Sequence, residues 1–426
     1  MKVSSRGPVD TGPSTQQRLV QSAWAMWETG GHASISARSL AQHAGVPISG
    51  LYNHFASLDD VFLQAQGDAL AAARVWCATQ LEQLFDFDGQ KSRTFVAGGL
   101  GPIMAALIDE WTHGQRRLAF AWREGFLLAQ HDPRFLPLWQ DWRRLWTDFW
   151  QAVCTGCGLG DYGEWTSFMF EGEAPLHMLA WRRVPDRACL EDICEGWATW
   201  LGGRLTTEGP WRHRARIEAL ASSPDLPIRD DMAHRIASAA ADVVAHQGMA
   251  KLTYRAVAAE AQVSLGMVSS RFRTSVDLVR AAFEMTYRRV TTSHGATDEV
   301  SDQDIARMIP QLTGEHISIA NRRVFEELML AVARDRTFQP FAPHLRYLRG
   351  RTSGRALQMM AGTEVTISPL DAALFSNLLS GMQRAGIDLS PANRASSGRS
   401  HIVRLLHRLG LPEPALTSTP PAATPD

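Results

Sequence analysis

The residues with the most direct capacity for chemistry are two pairs of cysteines. Cys154 and Cys157 form a C-x2-C spacing, and Cys189 and Cys194 form a C-x4-C spacing, with 31 residues between the pairs. Thiolates at such spacings bind zinc. The second pair falls in a helical pattern, where side chains five positions apart diverge, and no cysteine follows Cys194. We therefore expect structural thiols, with a metal or redox site as the alternative.

The residue patterns of common catalytic sites do not occur in the sequence. It has no glycine-rich phosphate loop, no H-E-x-x-H and no G-x-S-x-G motif, and its 14 histidines lack the spacing of metal ligands. We therefore expect no enzymatic activity, no cofactor and no metal.

The length and composition indicate a globular protein of several domains. The chain has 426 residues, 45% of them hydrophobic and 20% charged, and a formal net charge of -1. This balance excludes wholesale disorder and a uniformly basic DNA-packaging role. The longest apolar stretch, residues 95–108, is too short for a membrane span and contains glycine and proline. Residues 1–14 lack the apolar segment of a signal peptide, so we expect a cytoplasmic protein with no membrane partner.

One internal repeat organises the chain. Residues 18–65 match residues 235–282 without a gap, at an offset of 217. A weaker match at an offset of 203 pairs Glu124 with Glu327 and Phe135 with Phe338. The change in offset implies that the second repeat is 14 residues shorter. Further matched pairs of the first offset are Gly31 with Gly248, Arg38 with Arg255, Ala44 with Ala261, Asp60 with Asp277 and Phe55 with Phe272.

The repeat predicts two tandem copies of a small head and a larger helical body. We name residues 15–65 the first head, 66–221 the first body, 231–282 the second head and 283–411 the second body; each head and its body form one half of the chain. Residues 222–230 are the predicted linker, and residues 1–14 and 412–426 are predicted to be disordered tails, since both are rich in Pro, Ser, Thr and Ala.

Both heads have the pattern of three short helices. An apolar stripe predicts a first helix that ends near Gly30 or Gly248, and Ser36 or Thr253 provides the N-cap hydroxyl of a second. After a tight turn, a third helix is predicted to end at Phe55 or Phe272. Fourth helices are expected to begin near residues 58 and 275. This layout is typical of a helix-turn-helix, whose last helix enters the DNA major groove.

The two heads resemble the DNA-binding heads of the TetR family of bacterial transcriptional regulators. The resemblance lies in SISARSLAQHAGVPISGLYNHFASLDDVF and in KLTYRAVAAEAQVSLGMVSSRFRTSVDLV. In the first head Pro47 replaces the family's turn serine and Leu58 replaces its lysine. In the second, Ser269 replaces the tyrosine, Arg271 the histidine and Ser275 the lysine. The resemblance implies an all-α chain built as a tandem duplication of a helix-turn-helix head and a ligand-binding and dimerisation body.

The resemblance also implies which residues contact DNA. Tyr52 and His54 match family positions that bind phosphates, and Arg271 and Arg273 are expected to supply such contacts in the second head. Residues 232–282 contain six Lys and Arg against three acids, whereas residues 15–65 contain two against three. Charge therefore favours the second head as the stronger phosphate binder.

Base-edge contacts are assigned to side chains that differ between the heads, so we expect different half-sites and an asymmetric double-stranded operator. The complete predicted DNA-binding sets are Ser36, Pro47, Ile48, Ser49, Tyr52, Asn53 and His54 in the first head, and Thr253, Ser264, Leu265, Gly266, Met267, Ser269, Ser270, Arg271 and Arg273 in the second.

The first body contains an unusual density of tryptophan. All 14 tryptophans lie at or before Trp211, and eight lie between Trp111 and Trp181. Large aromatic side chains usually build a core, but they also line pockets for apolar ligands. The predicted effector-binding residues are Trp122, Phe126, Trp146, His177 and Trp181.

The family resemblance implies that each body dimerises through two C-terminal helices. These are expected near residues 162–183 and 186–205, and near 369–385 and 393–409. Because one chain contains both heads, we expect an intrachain pseudo-dimer, with a dimer of two chains as the alternative. The predicted function is a transcriptional repressor that an apolar small molecule releases from its operator. The alternative is a ligand-binding or protein-interaction scaffold with degenerate heads.

Overall fold

The fold is all-α, as the sequence predicts. The computed structural model describes residues 13–87, 90–91, 99–222, 230–291, 312–313 and 319–412. Within these ranges the β structure is one hairpin of two-residue strands, Asp86–Phe87 and Gln90–Lys91. The two predicted tails and the predicted linker fall almost entirely outside the described residues.

The first half contains ten α-helices among its described residues. Their bounds are α1 Thr15–Thr29, α2 Ala37–His43, α3 Ile48–Tyr52, α4 Leu58–Phe85, α5 Leu100–Asp109, α6 Arg116–His131, α7 Leu136–Gly156, α8 Gly163–His177, α9 Arg183–Leu201 and α10 Pro210–Ala221. A π-helical turn, Glu110–Gly114, joins α5 to α6, and short 3₁₀ helices lie at His32–Ser34, Pro133–Phe135 and Gly160–Tyr162.

The described residues of the second half contain nine α-helices. Their bounds are α11 Asp231–Gln247, α12 Tyr254–Glu260, α13 Leu265–Arg271, α14 Ser275–Thr291, α15 Ile319–Arg334, α16 Ala342–Tyr347, α17 Arg351–Ala361, α18 Pro369–Ala385 and α19 Pro391–Arg408. Short 3₁₀ helices lie at Met249–Lys251 and Arg336–Phe341.

Helix bounds in the two halves follow the sequence offsets. The helices α2 and α12 begin 217 residues apart, and so do α4 and α14. The helices α6 and α15 have 16 residues each and begin 203 residues apart. The expected starts of the fourth helices are therefore confirmed, and the weaker match of the bodies corresponds to a pair of equivalent helices.

Local chemistry accounts for the short helices of the heads. Ser36 accepts the backbone N–H of Ser39, and Thr253 accepts that of Ala256, so both predicted N-caps are confirmed. The turn after α2 places Gly45 at a φ of 65°, while the equivalent Gln262 has a φ of 53°. Since a Cβ is disfavoured in this left-handed region, the second turn is the more strained of the two.

The third helix of the first head is shorter than expected. The helix α3 ends at Tyr52, although the sequence predicts an end at Phe55. Hydrogen bonds from the N–H groups of His54 and Phe55 to the Leu51 carbonyl continue the chain as a turn. Phe55 is buried, and so is Phe272, which directly follows α13. The buried aromatic side chain is thus retained although the helix stops early.

The predicted C-terminal helices of both bodies are present as α8, α9, α18 and α19. The helices α8 and α18 cross in very close contact: a Cβ on Gly172 would lie 2.1 Å from the Asn377 carbonyl oxygen, and one on Gly381 would lie 1.9 Å from that of Phe168. Only glycine allows the two backbones to approach this closely.

Side-chain contacts join the other two helices to this crossing. The Trp165 indole of α8 donates to His401 Nδ1 of α19 at 3.0 Å. The Arg408 guanidinium of α19 donates to the Leu201 carbonyl at the end of α9, with Nε at 2.9 Å. These four helices therefore pack against one another within a single chain.

Two large apolar cores fill the structure. One includes the core of the first half and continues into α17, α18 and α19 through residues such as Leu357, Leu374 and Leu405. The other fills the second head and its contact with α15, where Val268 and Leu328 are fully buried. The first of these cores therefore contains residues of both halves.

Candidate nucleic-acid interface and effector site

The predicted DNA-binding side chains of the first head lie on an exposed surface. Ile48 and Tyr52, four residues apart on α3, are 47% and 54% exposed, whereas Leu51 and Phe55 are buried. This alternation leaves one face of α3 available to a ligand. The exposed predicted residues of this first recognition surface are Ser36, Pro47, Ile48, Ser49, Tyr52, Asn53 and His54.

The second head presents an equivalent surface on α13. Leu265 is 50% exposed at the position equivalent to Ile48, and Val268 is buried below it. Met267 is half-buried. The exposed predicted residues of this second recognition surface are Thr253, Ser264, Leu265, Gly266, Ser269, Ser270, Arg271 and Arg273.

Hydroxyl groups on the second surface are already bonded to the backbone. Ser264 accepts the N–H of Met267 and caps α13, while Ser269 and Ser270 donate to carbonyls three residues earlier, at 3.2 and 3.0 Å. Pro47, in the place of Ser264, makes no such cap on α3. Serine hydroxyls rotate easily, so these groups retain the capacity to bond a base edge or a phosphate.

Arg271 forms an ion pair that the sequence did not suggest. Its Nε and Nη2 lie 3.1–3.3 Å from the carboxylate of Asp230, which also caps α11. The bond to Arg271 lowers the pKa of Asp230. Both side chains are substantially exposed, and exposed pairs are weak, so a phosphate oxygen can compete for the guanidinium. Arg273 is exposed and forms no ion pair among the described residues.

A matched pair of arginines near these surfaces was not assigned to DNA in the sequence analysis. Arg38 on α2 and Arg255 on α12 are equivalent in the repeat, and both are exposed. Neither forms an ion pair with a described residue. Their identity in both halves was visible in the alignment of the repeats and could have identified them as candidates.

Each head is joined to its body by a buried glutamate. The N–H of His32 donates to Glu124 at 3.0 Å, and the N–H of the equivalent Met249 donates to Glu327 at 3.3 Å. The glycine before each donor, at positions 31 and 248, has a positive φ of 74° or 83°. The weak sequence match of Glu124 with Glu327 thus corresponds to the same contact in both halves, which we name the head–body joint.

The glutamates of the two head–body joints have pKa values shifted in opposite directions. Burial raises the pKa of Glu124, but Arg334 and His32 outweigh it and lower that pKa to about 2. Arg334 comes from the second body and also donates to the Trp27 carbonyl of the first head at 2.9 Å. Burial, together with the charge of Glu124, raises the pKa of Glu327. The first joint is therefore tied across the halves, whereas the second is held mainly by its own half.

Trp122 and Trp146 belong to one buried cluster of aromatic rings. Their ring centroids are 5.6 Å apart, and Trp111 lies 4.8 Å from Trp146. Phe126 instead contacts Trp139, at 5.0 Å. The aromatic cluster comprises Trp76, Trp111, Trp122, Trp142, Trp146, Phe149, Trp150 and Phe170.

Several indole groups in this cluster lack a hydrogen-bond partner. The N–H groups of Trp111, Trp122 and Trp146 are buried without an acceptor among the described residues. The neighbouring Trp142 donates to Gln66 at 3.1 Å. A buried donor without a partner costs about 1–3 kcal/mol, so the cluster offers several donors to an acceptor atom of a ligand. Trp111 also lies on a π-helical turn, a feature frequent at functional sites.

His177 and Trp181 form a second, separate group. Their ring centroids are 5.2 Å apart, and His113 contacts the same indole at 4.4 Å. His177 Nε2 lies 2.7 Å from Glu173, while burial lowers the pKa of His177. The five predicted effector residues are thus distributed over the aromatic cluster, the neighbouring Phe126–Trp139 contact and this group.

A groove of about 570 Å³ lies elsewhere, along α19. None of the five predicted effector residues lines it. Its lining includes Ser396, Arg399 and Arg404.

The cysteines are reduced and buried. Cys154 and Cys157 do not form a disulfide, and burial raises the pKa of Cys154 to about 11. Among the described residues, no group of three or more His, Cys, Asp or Glu side chains is arranged to hold a metal ion. Across the same ranges, no helix has the length and apolarity needed to cross a membrane.

Comparison with protein-family models finds no match, and comparison with curated protein sequences finds no significant relative.

Proposed function

We propose that the chain is a sequence-specific DNA-binding transcriptional regulator, acting as a repressor, built from two tandem TetR-like halves. The observation that carries this proposal is the pair of exposed surfaces on α3 and α13, which occupy equivalent positions of the repeat. Each surface lies on a short helix after a tight turn, above a buried aliphatic residue, Leu51 or Val268. That is the geometry by which a helix-turn-helix presents its last helix to the major groove.

The packing of the four C-terminal helices supports an intrachain pseudo-dimer. Ordinary helix-turn-helix dimers use two chains to bind two half-sites about 34–36 Å apart. Here α8, α9, α18 and α19 bury the corresponding surfaces inside one chain. Because the recognition surfaces differ in side chains and charge, the operator of such a protein is asymmetric. A dimer of two chains is the rival arrangement.

The aromatic cluster supports an effector site in the first body. Three consecutive residues of α6 connect it to other parts of the protein. Trp122 belongs to the cluster, Arg123 lies over the Trp122 ring at 4.8 Å and binds the second half through Glu326, and Glu124 holds the first head. A molecule that moves Trp122 therefore acts on the contact between the halves and on a head–body joint at once.

The cluster also defines the chemistry of the effector. Its rings provide a flat apolar surface, and the unpaired indole N–H groups favour neutral acceptor atoms such as a carbonyl or ether oxygen. Such a molecule releases DNA if it binds better to an arrangement of the heads that does not fit the operator.

The proposal is tested by selecting bound sequences from random duplex DNA with the intact chain. Two variants, Tyr52→Ala and Arg271→Ala, each alter one recognition surface. Val184→Ala, an exposed apolar residue of α9, is the matched control. We expect an enriched site with two unlike halves, each weakened by one variant only. A palindromic site weakened by one variant would indicate two chains that each use one head, and no enrichment would exclude the repressor function.

A second candidate is a ligand-binding or protein-interaction scaffold whose heads no longer bind DNA. The acidic balance of the first head and the engagement of Arg271 by Asp230 favour it. The salt dependence of DNA affinity separates the two functions. Each phosphate contact lowers log K by about 0.9 per unit of log salt concentration, so a DNA-binding chain gives a steep slope that Arg273→Ala reduces, whereas a scaffold gives none.

A further inference from the structure

Arg123 and Glu326 are equivalent residues of the two halves, and they bind each other. Arg123 directly precedes Glu124, and Glu326 directly precedes Glu327. Arg123 and Glu326 are 203 residues apart, which is the sequence offset between the two bodies. Arg123 Nη2 lies 2.6 Å from Glu326 Oε2, and both side chains are almost fully buried. In a twofold arrangement, a residue that contacts its own equivalent lies on the symmetry axis.

Other contacts follow the same pseudo-twofold relation. Gly172 packs on Asn377, and Gly381 packs on Phe168. Gly172 lies four residues after Phe168, and Gly381 lies four residues after Asn377, so the two contacts are equivalent. The 3₁₀ helices His32–Ser34 and Met249–Lys251, which are equivalent in the repeat, also touch each other. The axis therefore passes between equivalent elements from the heads to the C-terminal helices.

A network of alternating positive and negative side chains surrounds the axis. Arg123 also binds Glu171 of its own half at 3.4 Å, and Glu326 accepts a hydrogen bond from Arg384 Nε of its own half at 2.6 Å. Arg384 completes this network by donating a hydrogen bond from Nη1 to the backbone carbonyl of Glu171 at 2.5 Å. Each half thus contributes one acid and one base to a buried network.

We propose that Arg123 and Glu326 make unlike halves select each other and exclude pairing of like halves. Two first halves would place Arg123 against a second Arg123, and two second halves would oppose two Glu326 carboxylates. Each group would keep only the partner from its own half, Glu171 for Arg123 and Arg384 for Glu326, and would face a like charge at a buried position. Such repulsion is an element of specificity. This pairing rule does not depend on DNA binding, so it stands even if the proposed function fails. Where that function holds, the rule ensures that every binding unit presents one head of each kind.

The first test cuts the folded chain between its halves. A protease site placed within residues 223–229 of the full-length protein is cleaved after purification, and the product is mixed with an isotope-labelled copy and weighed by native mass spectrometry. We expect labelled and unlabelled halves to exchange partners. The exchanged complexes should contain one first half and one second half, with unlike pairs exceeding like pairs by more than about a hundredfold. Like pairs at comparable abundance would overturn the proposal.

The second test uses two full-length variants with complementary charges. Arg123→Glu and Glu326→Arg each create like charges on the axis, so each alone is expected to melt at a lower temperature than the parent chain. Co-expressed, the two chains can exchange halves and restore an opposite-charge pair, giving a 1:1 complex of two chains. Arg214→Glu, which alters an exposed arginine of α10, is the matched control.

Two outcomes of the second test contradict the proposal. One is a parental melting temperature and a single-chain mass for both variants alone. The other is destabilisation of both without a 1:1 complex on co-expression, because matched charges then fail to direct pairing.

Discussion

The two bodies share equivalent helices, such as α6 and α15, but have different interiors. The first is filled with indole rings, among them the fully buried Trp111, Trp122 and Trp146, whereas the second contains no tryptophan. The residues that the halves share include the turn glycines Gly31 and Gly248, the buried Phe55 and Phe272, and the acids of the two head–body joints. The comparison indicates that the two halves retain caps, turns and one buried acid each, while different side chains fill the cores of the two bodies.

The two heads differ in the same manner. The first has glycine where its turn needs a positive φ but proline where a cap belongs, and the second has Gln262 in the turn and Ser264 as the cap. Each head therefore lacks one local stabilising feature that the other has. Their exposed surfaces differ most, which is the expected result if the heads bind different half-sites.

The largest predicted effect concerns the aromatic cluster. Trp146→Ala removes a fully buried indole that contacts several other rings and should lower the free energy of unfolding by about 4 kcal/mol. Urea unfolding followed by circular dichroism measures the change. Trp211→Ala, at a position 46% exposed, is the control and should change the free energy by less than about 0.5 kcal/mol.

A small loss for Trp146→Ala would change the interpretation of the first body. It would mean that the indole lines space for a ligand and does not fill the core. The two bodies would then differ in whether they can bind a ligand, and the tryptophans of the first body would not be needed for its stability.

The next effect separates the two head–body joints. Glu124→Gln leaves Arg334 buried without its carboxylate and should cost about 3 kcal/mol. Glu327→Gln removes a carboxylate whose pKa is already raised, and it retains an acceptor for Met249, so its cost should be below about 1 kcal/mol. Denaturant unfolding of both variants measures the difference. Equal losses would show that the joints are energetically equivalent.

A smaller effect is expected in the pH dependence of stability. Burial raises the pKa of Glu171 from 4.5 to about 7, although Arg123 and Arg384 oppose the shift and Glu326 adds to it. The folded chain thus keeps a proton that the unfolded chain has released between about pH 4.5 and 7, so stability falls as the pH rises through this window. Glu171→Gln should flatten this fall, as measured by melting temperatures at about pH 5 and pH 7.

The control for this prediction is Glu191→Gln, which changes an exposed carboxyl of α9. It should leave the pH dependence of the parent chain in place. The same slope in Glu171→Gln as in the parent would show that Glu171 is ionised throughout the window.

Local patterns in the sequence were sufficient for the heads and for the C-terminal helices. Ser36 and Thr253 cap their helices as expected, because capping depends on residues only three positions apart. The ion pair of Arg271 with Asp230 joins residues 41 apart, and that of Arg123 with Glu326 joins residues 203 apart. Such pairs depend on how helices pack, which helical periodicity does not specify.

The distribution of the predicted effector residues has a similar cause. Trp122 and Trp146 lie on the buried stripes of two helices and meet in the core. Phe126 is one turn further along α6 and faces Trp139 instead. Trp122, Phe126 and Trp146 are buried and Trp181 is half-buried, but the sequence did not determine which of these side chains share a site.

The smallest effect concerns base recognition by the two heads. Ile48 and Leu265 are equivalent, exposed aliphatic residues at the start of α3 and α13. An exposed aliphatic side chain on a recognition helix suits the C5-methyl group of thymine. Once an operator is selected, replacing thymine by uracil in one half-site should weaken binding about fourfold, since burial of one methyl group contributes about 0.8 kcal/mol.

The two heads can be distinguished by combining this change with Ile48→Ala or Leu265→Ala. Each variant should be insensitive to uracil in the half-site bound by the altered head and should remain sensitive to uracil in the other half-site. The alanine variant has already lost the methyl contact that uracil would remove. Four operators, with thymine or uracil in each of the two half-sites, are titrated in gel-shift assays to measure both effects. Equal sensitivity of all variants would show that the methyl groups are not read by these residues, and sensitivity in one half-site alone would show that a single head reads thymine.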